Sequence, residues 1–114
     1  IISAAYNQNR TLNDPCAHAE ILALRQACKE KKVHRLDNCD IYVTLEPCSM
    51  CASALALAKI RRIYYAIPDK KFGAIENGIK LFQNSNCFHN PEIYSGFLEE
   101  DSKKLLIDFF KSKR

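Results

Sequence analysis

Two cysteines three positions apart, Cys48 and Cys51, constrain this chain more than any other feature. They follow a run rich in strand-forming residues, 39–46, and come directly after Pro47. Proline is favoured at the first position of a helix, because its missing N–H would have no partner there anyway. A helix that begins at Pro47 would place both sulphurs on one face of its first turn, where the positive end of the helix dipole favours thiolates. Two thiolates on one face are half of a tetrahedral zinc site.

The length and charge of the chain limit what surrounds this pair. With 114 residues the chain can bury one core but not two. Its longest uncharged apolar run, 50–58, is too short to span a bilayer, so we expect no membrane segment. The net charge of +4 is compatible with an anionic partner. Basic groups are concentrated in residues 103–114, which carry five of them against one acid.

Six cysteines are an even number, so a disulfide framework has to be considered. A domain of this size can bury a core without covalent links, and the chain favours helices over loops. We therefore expect free cysteines in a reducing, cytoplasmic setting, with Cys28, Cys39 and Cys87 as small core or near-surface residues.

Hydrophobic periodicity predicts an alternation of strands and helices. An apolar stripe at Ala17, Ile21, Leu24 and Cys28 indicates a first helix, with Asp14 and Pro15 at its start. The other predicted elements are strands over Ile1–Tyr6, Asp40–Glu46, Arg62–Ile67 and Glu92–Ser95, and helices over Pro47–Lys59, Ile79–Gln83 and from Phe97 to the end. Strand 40–46 is predicted to be buried on both faces. This order is typical of an α/β fold with a parallel or mixed sheet.

A second cluster of ligand-type residues, Cys16, His18 and Glu20, lies near the start of the first helix. Successive strand–helix units bring their helix starts to the same sheet edge, so His18 can join Cys48 and Cys51. One histidine, two thiolates and an open fourth position form the ligand set of a catalytic zinc. Within a helix, Glu20 would point about 200° away from His18. The two side chains can therefore serve one site only if that site lies beyond the end of the helix. There Glu20 can carry protons without ligating the metal.

Two other interpretations of these residues stay open at this point. Cys16 could supply a fourth ligand, which would close the site as a structural Cys3His zinc and leave Glu20 without a role. Alternatively, the site could bind no metal, and His18 could simply cap its helix.

The residues quoted so far resemble a known family. His18-Ala-Glu20 followed by Pro47 to Cys51 is similar to the signature of zinc-dependent nucleoside and nucleobase deaminases. The wider resemblance is to the bacterial tRNA-specific adenosine deaminases, and it rests on Asn7, Asp14-Pro15, Ala17 to Ile21, Ala23 to Arg25, Tyr42 to Cys48 and Asp108 to Phe110. Cys16 departs from it, since a threonine is usual there.

The resemblance implies a three-layer α/β/α sandwich with a central mixed sheet, formed as a single zinc-dependent deaminase domain over residues 1–114. The family has a further helix and strand before the position of Ile1, and we expect both to be missing from this sequence. The implied reaction is zinc-dependent hydrolytic deamination of adenosine to inosine at the wobble position of a tRNA anticodon stem-loop. One Zn²⁺ per chain, a homodimer and a cytoplasmic location are also implied.

Roles for individual residues follow from the same resemblance. Glu20 is the implied proton carrier, and His18, Cys48 and Cys51 are the implied metal ligands. Asn7 matches a residue that hydrogen-bonds the base, and Asp69 matches one near the ribose. The terminal helix could supply base stacking and phosphate contacts through Phe109, Phe110, Lys111, Lys113 and Arg114, although the two phenylalanines also fit a core stripe.

Two rival functions remain on sequence grounds. The same metal motif would serve a deaminase of free guanine, cytosine or a nucleotide. A non-catalytic RNA-binding domain with a structural zinc is the rival from another class.

Overall fold

The structure is a computed structural model, and it describes residues 2–96 of the chain. Regular structure alternates between strands and helices along this range, as the periodicity predicts. In chain order the elements are α1 (Ala19–Lys31), β1 (Asp40–Leu45), α2 (Ser49–Leu57), β2 (Arg62–Ile67), a 3₁₀ turn (Leu81–Gln83) and β3 (Glu92–Ser95). The predicted strands over Arg62–Ile67 and Glu92–Ser95 are confirmed residue for residue.

The three strands form one sheet in the order β1-β2-β3, and both of its pairings are parallel. Ile41 lies opposite Ile63, which in turn lies opposite Ile93. Because the strands run in one direction, their carboxyl ends meet at one edge of the sheet. The segments that follow β1 and β2, residues 46–48 and 68–77, therefore start side by side at that edge.

Both helices pack on one face of this sheet and bury a shared core. Leu24 of α1 and Leu55 of α2 lie in the same cluster as Ile63 and Tyr65 of β2. Leu55 and Ile63 are fully buried. The cluster is continued by small side chains of α2, including Ala52, which lets the helix approach the sheet closely.

The opposite face of the sheet carries a row of stacked tyrosines. Tyr42, Tyr64 and Tyr94 are aligned across the three strands, with ring centroids 4.5 Å apart in the first pair and 4.9 Å in the second. Tyr42 is 60% exposed, so the prediction that β1 is buried on both faces is wrong in the described part of the chain. Only the alternate side chains Ile41 and Val43 of β1 pack on the core.

Several predicted boundaries also differ from the structure: β1 ends at Leu45, α2 ends at Leu57, and the short helix predicted from Ile79 is a 3₁₀ turn that begins at Leu81. The segment 2–6 has no regular structure, because a strand needs a ladder partner and β1, β2 and β3 pair only with one another within residues 2–96. The first helix is capped by His18, not by Asp14, whose Oδ1 instead accepts a hydrogen bond from the Cys16 N–H. The second helix is capped by Cys48, not begun by Pro47.

The predicted state of the cysteines is confirmed. All six are free thiols, and Cys28, Cys39 and Cys87 are partly buried. No helix among residues 2–96 has both the length and the apolar character needed to cross a bilayer.

Candidate metal centre

The two helix starts supply the caps of their own helices and the ligands of one cluster. His18 and Cys48 are the N-cap residues of α1 and α2, and both have extended backbone conformations. Neither side chain caps its helix with a hydrogen bond, so both remain available for another role. In the alternative without a metal, His18 would simply cap its helix; it does occupy the cap position, but its ring makes no capping hydrogen bond.

The cluster has the donor atoms and the spacing of a zinc site. The Nδ1 atom of His18 lies 3.4 Å from the sulphur of Cys51 and 3.7 Å from that of Cys48. A tetrahedral zinc with bonds of about 2.0 Å to nitrogen and 2.3 Å to sulphur separates those atoms by ~3.5 Å. All three ligand atoms lie within 4.8 Å of one another. His18, Cys48 and Cys51 therefore fit a zinc ion as three of its four ligands.

The electrostatics of the cluster also favour a cation. Burial raises the pKa of the Cys51 thiol far above its usual range, and the negative charges of Glu20 and Cys48 raise it further. These effects oppose the helix dipole, which favours a thiolate, at the fully buried Cys51. A divalent metal would offset these effects, since a coordinating thiol loses its proton outright.

Glu20 lies beside the cluster without belonging to it. It occupies the first turn of α1, two residues after the cap, and its carboxylate is near enough to the Cys51 thiol to affect its pKa. The group that could hold a metal consists of His18, Cys48 and Cys51 and does not include Glu20. His18 and Glu20 are only two residues apart, and at the end of a helix such side chains can serve a single site.

Cys16 also lies outside the group. Its side chain is exposed, and Cys16 is not one of the three residues among 2–96 that could together hold a metal ion. In the described geometry, Cys16 does not supply a fourth metal ligand. This favours an open zinc site over a closed Cys3His site.

Replacing Cys16 with threonine should leave the zinc content of the purified protein unchanged, because the structure keeps this sulphur away from the other ligands. Plasma mass spectrometry, combined with the protein concentration, measures the molar ratio of zinc to protein. A fall of zinc content in Cys16→Thr to the level of a ligand variant would show that the site is closed.

The two predicted substrate-binding residues lie in loops with local hydrogen bonds. The Asn7 side-chain oxygen accepts from the Asn9 N–H at 2.9 Å. Asp69 follows β2, and its Oδ1 accepts from the N–H groups of Lys71 and Phe72 at 3.0 and 3.1 Å. Asn7 is exposed and Asp69 half-buried. The predicted RNA contacts of Phe109, Phe110, Lys111, Lys113 and Arg114 lie outside the described residues.

Sequence reasoning missed one buried carboxylate next to the centre. Glu46, between the end of β1 and Pro47, is 3% exposed and accepts hydrogen bonds from residues 69–77. Burial opposes its charge, but the side-chain N–H of Asn77 and the N–H groups of Asp69, Ile75 and Asn77 outweigh burial and lower its pKa. The signal in the sequence was an acid that directly follows a run of strand-forming residues, 41–45.

Together, the parallel sheet and the two helix starts assemble a cluster that could hold a metal ion, with a carboxylate beside it. The chain belongs to the MafB19-like deaminase family, whose sequence profile matches residues 1–114.

Individual relatives agree with this assignment. The chain is 47% identical to a tRNA-specific adenosine deaminase from Agrobacterium fabrum, over all of this chain and 75% of that protein. A solved tRNA:A34 deaminase, from work on A-to-I editing at the wobble position of transfer RNA, matches with a TM-score of 0.88 and 48% identity over 90% of this chain and 75% of that one. A guanine deaminase from Bacillus subtilis matches with a TM-score of 0.59 and 43% identity over 60% of this chain and 43% of that one. The likeness to the tRNA:A34 deaminase confirms the predicted α/β fold class.

Proposed function

We propose that this chain catalyses the zinc-dependent hydrolytic deamination of adenosine to inosine at the wobble position of a tRNA anticodon. The observation that carries the proposal is the convergence of His18, Cys48 and Cys51 with Glu20 beside them and outside the ligand group. The substrate is supported by the tRNA-specific adenosine deaminase relative, which is similar over the whole chain. Residues 1–114 form one deaminase domain in this proposal, with one Zn²⁺ per chain.

His18, Cys48 and Cys51 would hold the metal through one imidazole nitrogen and two sulphurs. When bound, Zn²⁺ lowers the pKa of water to roughly 7 and so makes a nucleophile available at neutral pH. The partial burial of the centre strengthens each charge interaction within it, since the local dielectric is below that of water.

Glu20 moves the protons in this mechanism. Its carboxylate accepts a proton from the attacking water and gives it to N1 of the purine, while the water oxygen bonds to C6. It then takes the second water proton from the new C6 hydroxyl, which becomes the carbonyl, and delivers that proton to the departing amine as the bond from C6 to the exocyclic nitrogen breaks. Adenosine and water thus become inosine and ammonia, with no other reactant consumed.

The anticodon loop presents its adenosine at little cost. A base in a loop is unpaired, so its extrusion costs less than that of a duplex base. Asn7 contacts the base and Asp69 the ribose in this proposal, after rearrangement of the local hydrogen bonds in which their side-chain oxygens now take part. Phe109 and Phe110 stack on flanking bases, and Lys111, Lys113 and Arg114 contact phosphates.

Two properties of the working enzyme complete the proposal. It acts as a homodimer in the cytoplasm, where its substrate is found and where its six free cysteines stay reduced.

A second candidate function is the deamination of a free purine base. The guanine deaminase from Bacillus subtilis, 43% identical over the matched region, supports it. The test is to incubate the zinc-loaded protein with an anticodon stem-loop that has adenosine at the wobble position and, separately, with guanine, cytosine and adenine. Inosine formed in the RNA alone supports tRNA deamination, and ammonia released from guanine alone supports the rival. Binding of RNA without either product would point to a non-catalytic zinc domain.

The RNA contacts of the basic tail predict a specific salt dependence. Replacing Lys111, Lys113 and Arg114 with alanine removes three cations, so the slope of log affinity against log salt should become shallower by about 2. Fluorescence anisotropy with a labelled stem-loop measures the slope. A matched control replaces Lys29, Lys31 and Lys32 at the end of α1, which removes equal charge elsewhere. Equal slopes for the tail variant and the wild-type protein would place the RNA away from the tail.

A further inference from the structure

Glu46 is the one buried charged side chain found among residues 2–96. Its backbone continues the sheet, because its N–H donates to the Ile67 carbonyl at 2.8 Å just beyond the ends of β1 and β2. Its carboxylate forms no ion pair within the described residues. A buried carboxylate without a cation needs several hydrogen-bond donors to be stable. The question is where those donors come from.

All of the donors come from one loop, residues 69–77, called here the 69–77 loop. Oε1 of Glu46 accepts from the Asp69 N–H at 3.0 Å and from the Asn77 side-chain amide at 2.7 Å. Oε2 accepts from the N–H groups of Ile75, Glu76 and Asn77 at 2.9, 3.0 and 3.1 Å. The carboxylate therefore accepts hydrogen bonds from both ends of the loop and fixes its backbone conformation.

The same loop is attached to the segment that carries the metal ligand Cys48. Gly73 pairs with Cys48 in an antiparallel bridge, and the Ala74 N–H donates to the Pro47 carbonyl at 3.0 Å. One residue, Glu46, thus lies in the ligand segment and also organises the loop that packs on that segment.

Gly73 shows how tightly the loop closes on this carboxylate. A methyl group added at Gly73 would collide with the Glu46 carboxylate carbon and with the Asp69 carbonyl oxygen. Glycine is required here by close approach, since any side chain would displace the carboxylate or the loop.

We propose that Glu46 is a positioning residue. It holds the 69–77 loop, and Asp69 with it, in a fixed place relative to the metal centre. The substrate is then bound in the reactive orientation. This inference rests on the proposed function for the identity of the substrate. Its structural part, that the Glu46 carboxylate fixes the loop, rests on the five hydrogen bonds alone.

The decisive variant is Glu46→Gln, which keeps the shape of the side chain but turns one acceptor oxygen into a donor facing donors. We expect zinc content to stay at the wild-type ratio and KM for the anticodon stem-loop to rise by about ten-fold or more, with a smaller change in kcat, because a displaced loop weakens substrate placement. Gly73→Ala keeps the charge of Glu46 but displaces it, and it should raise KM in the same direction. Asn77→Ala removes a single side-chain donor and should raise KM less.

Glu30→Gln, at an exposed position of α1, makes the same chemical change away from the centre and should leave KM unaltered. Zinc loss in Glu46→Gln in proportion to lost activity would show a purely structural role and overturn the proposal. An unchanged KM in Glu46→Gln with zinc retained would overturn it as well.

Hydrogen exchange supplies a readout that does not depend on activity. In Glu46→Gln, the amides of Asp69, Ile75, Glu76 and Asn77 should exchange at least about ten-fold faster than in the wild-type protein, because one acceptor oxygen becomes a donor and the other loses its negative charge. Equal protection of these amides in the two proteins would contradict the proposal. If the wild-type protein fails to deaminate the stem-loop, the proposed function fails, while the exchange rates still decide whether Glu46 fixes the loop.

Discussion

Replacing Glu20 with alanine should abolish deamination while zinc stays bound. The expected fall in kcat is about 100- to 10,000-fold, the usual range for loss of a general acid–base group. The structural reason is that Glu20 lies in the first turn of α1, beside the Cys51 thiol, yet outside the three-residue group that could hold the metal. In the proposed mechanism, the variant therefore removes the proton carrier and leaves the three candidate ligands in place.

The measurement combines zinc stoichiometry by plasma mass spectrometry with single-turnover deamination of the anticodon stem-loop. Glu30→Ala is the matched control, since it removes the same side chain from an exposed position near the other end of α1. It should retain full activity. If Glu20→Ala loses its zinc, Glu20 is a ligand and the assignment of roles is wrong.

Replacing Cys51 with alanine should remove both zinc and activity, and it should lower the thermal stability of the zinc-loaded protein. Cys51 is fully buried between the two helix starts, and its sulphur is the closer of the two to His18 Nδ1. A metal that binds only the folded state stabilises it by about 2.7 kcal/mol when its free concentration is 100 times its dissociation constant. The variant should lose that contribution.

Thermal unfolding with added zinc and with a chelator measures this effect. The Tm of the wild-type protein should fall when zinc is chelated, whereas the Tm of Cys51→Ala should be the same in both conditions. Cys87→Ala serves as the control, because Cys87 is a partly buried cysteine outside the metal group. It should keep the zinc-dependent difference in Tm. A Cys51→Ala protein that still binds zinc with wild-type stoichiometry would contradict the assigned centre.

The cluster of His18, Cys48 and Cys51 could be predicted from two rules. The Cys48–Cys51 spacing indicated thiolate ligands. The rule that successive strand–helix units share a sheet edge placed His18 beside them, although the strand assumed before His18 is not formed in segment 2–6. The structure places the three ligand atoms together, within 4.8 Å of one another. The first and second helices begin later than predicted, since His18 and Cys48 are the caps.

Long-range contacts explain the parts that the sequence did not reveal. Pro47 was predicted to start a helix from its local preference, but its carbonyl accepts a hydrogen bond from Ala74 and the next residue pairs with Gly73. These contacts hold residues 46–48 in an extended form. The donors to Glu46 lie 23 to 31 residues further along the chain, so no local pattern could identify them.

The charge state of Cys51 shows a similar conflict between local and tertiary effects. A helix N-terminus favours a thiolate by a modest amount. Complete burial and the negative charges of Glu20 and Cys48 act in the opposite direction and raise the pKa of the thiol, whereas coordination to a metal would remove its proton. The dipole rule applies to a partly exposed cysteine, and the sequence did not show how deeply this one is buried.

The most direct test of the central claim is deamination of an anticodon stem-loop in water labelled with heavy oxygen. The zinc-loaded protein should convert the wobble adenosine to inosine, release one ammonia for each inosine, and place one labelled oxygen at C6 of the product base. Mass spectrometry of the digested RNA reads both the position and the label. An unchanged stem-loop together with ammonia released from free guanine would contradict the claim.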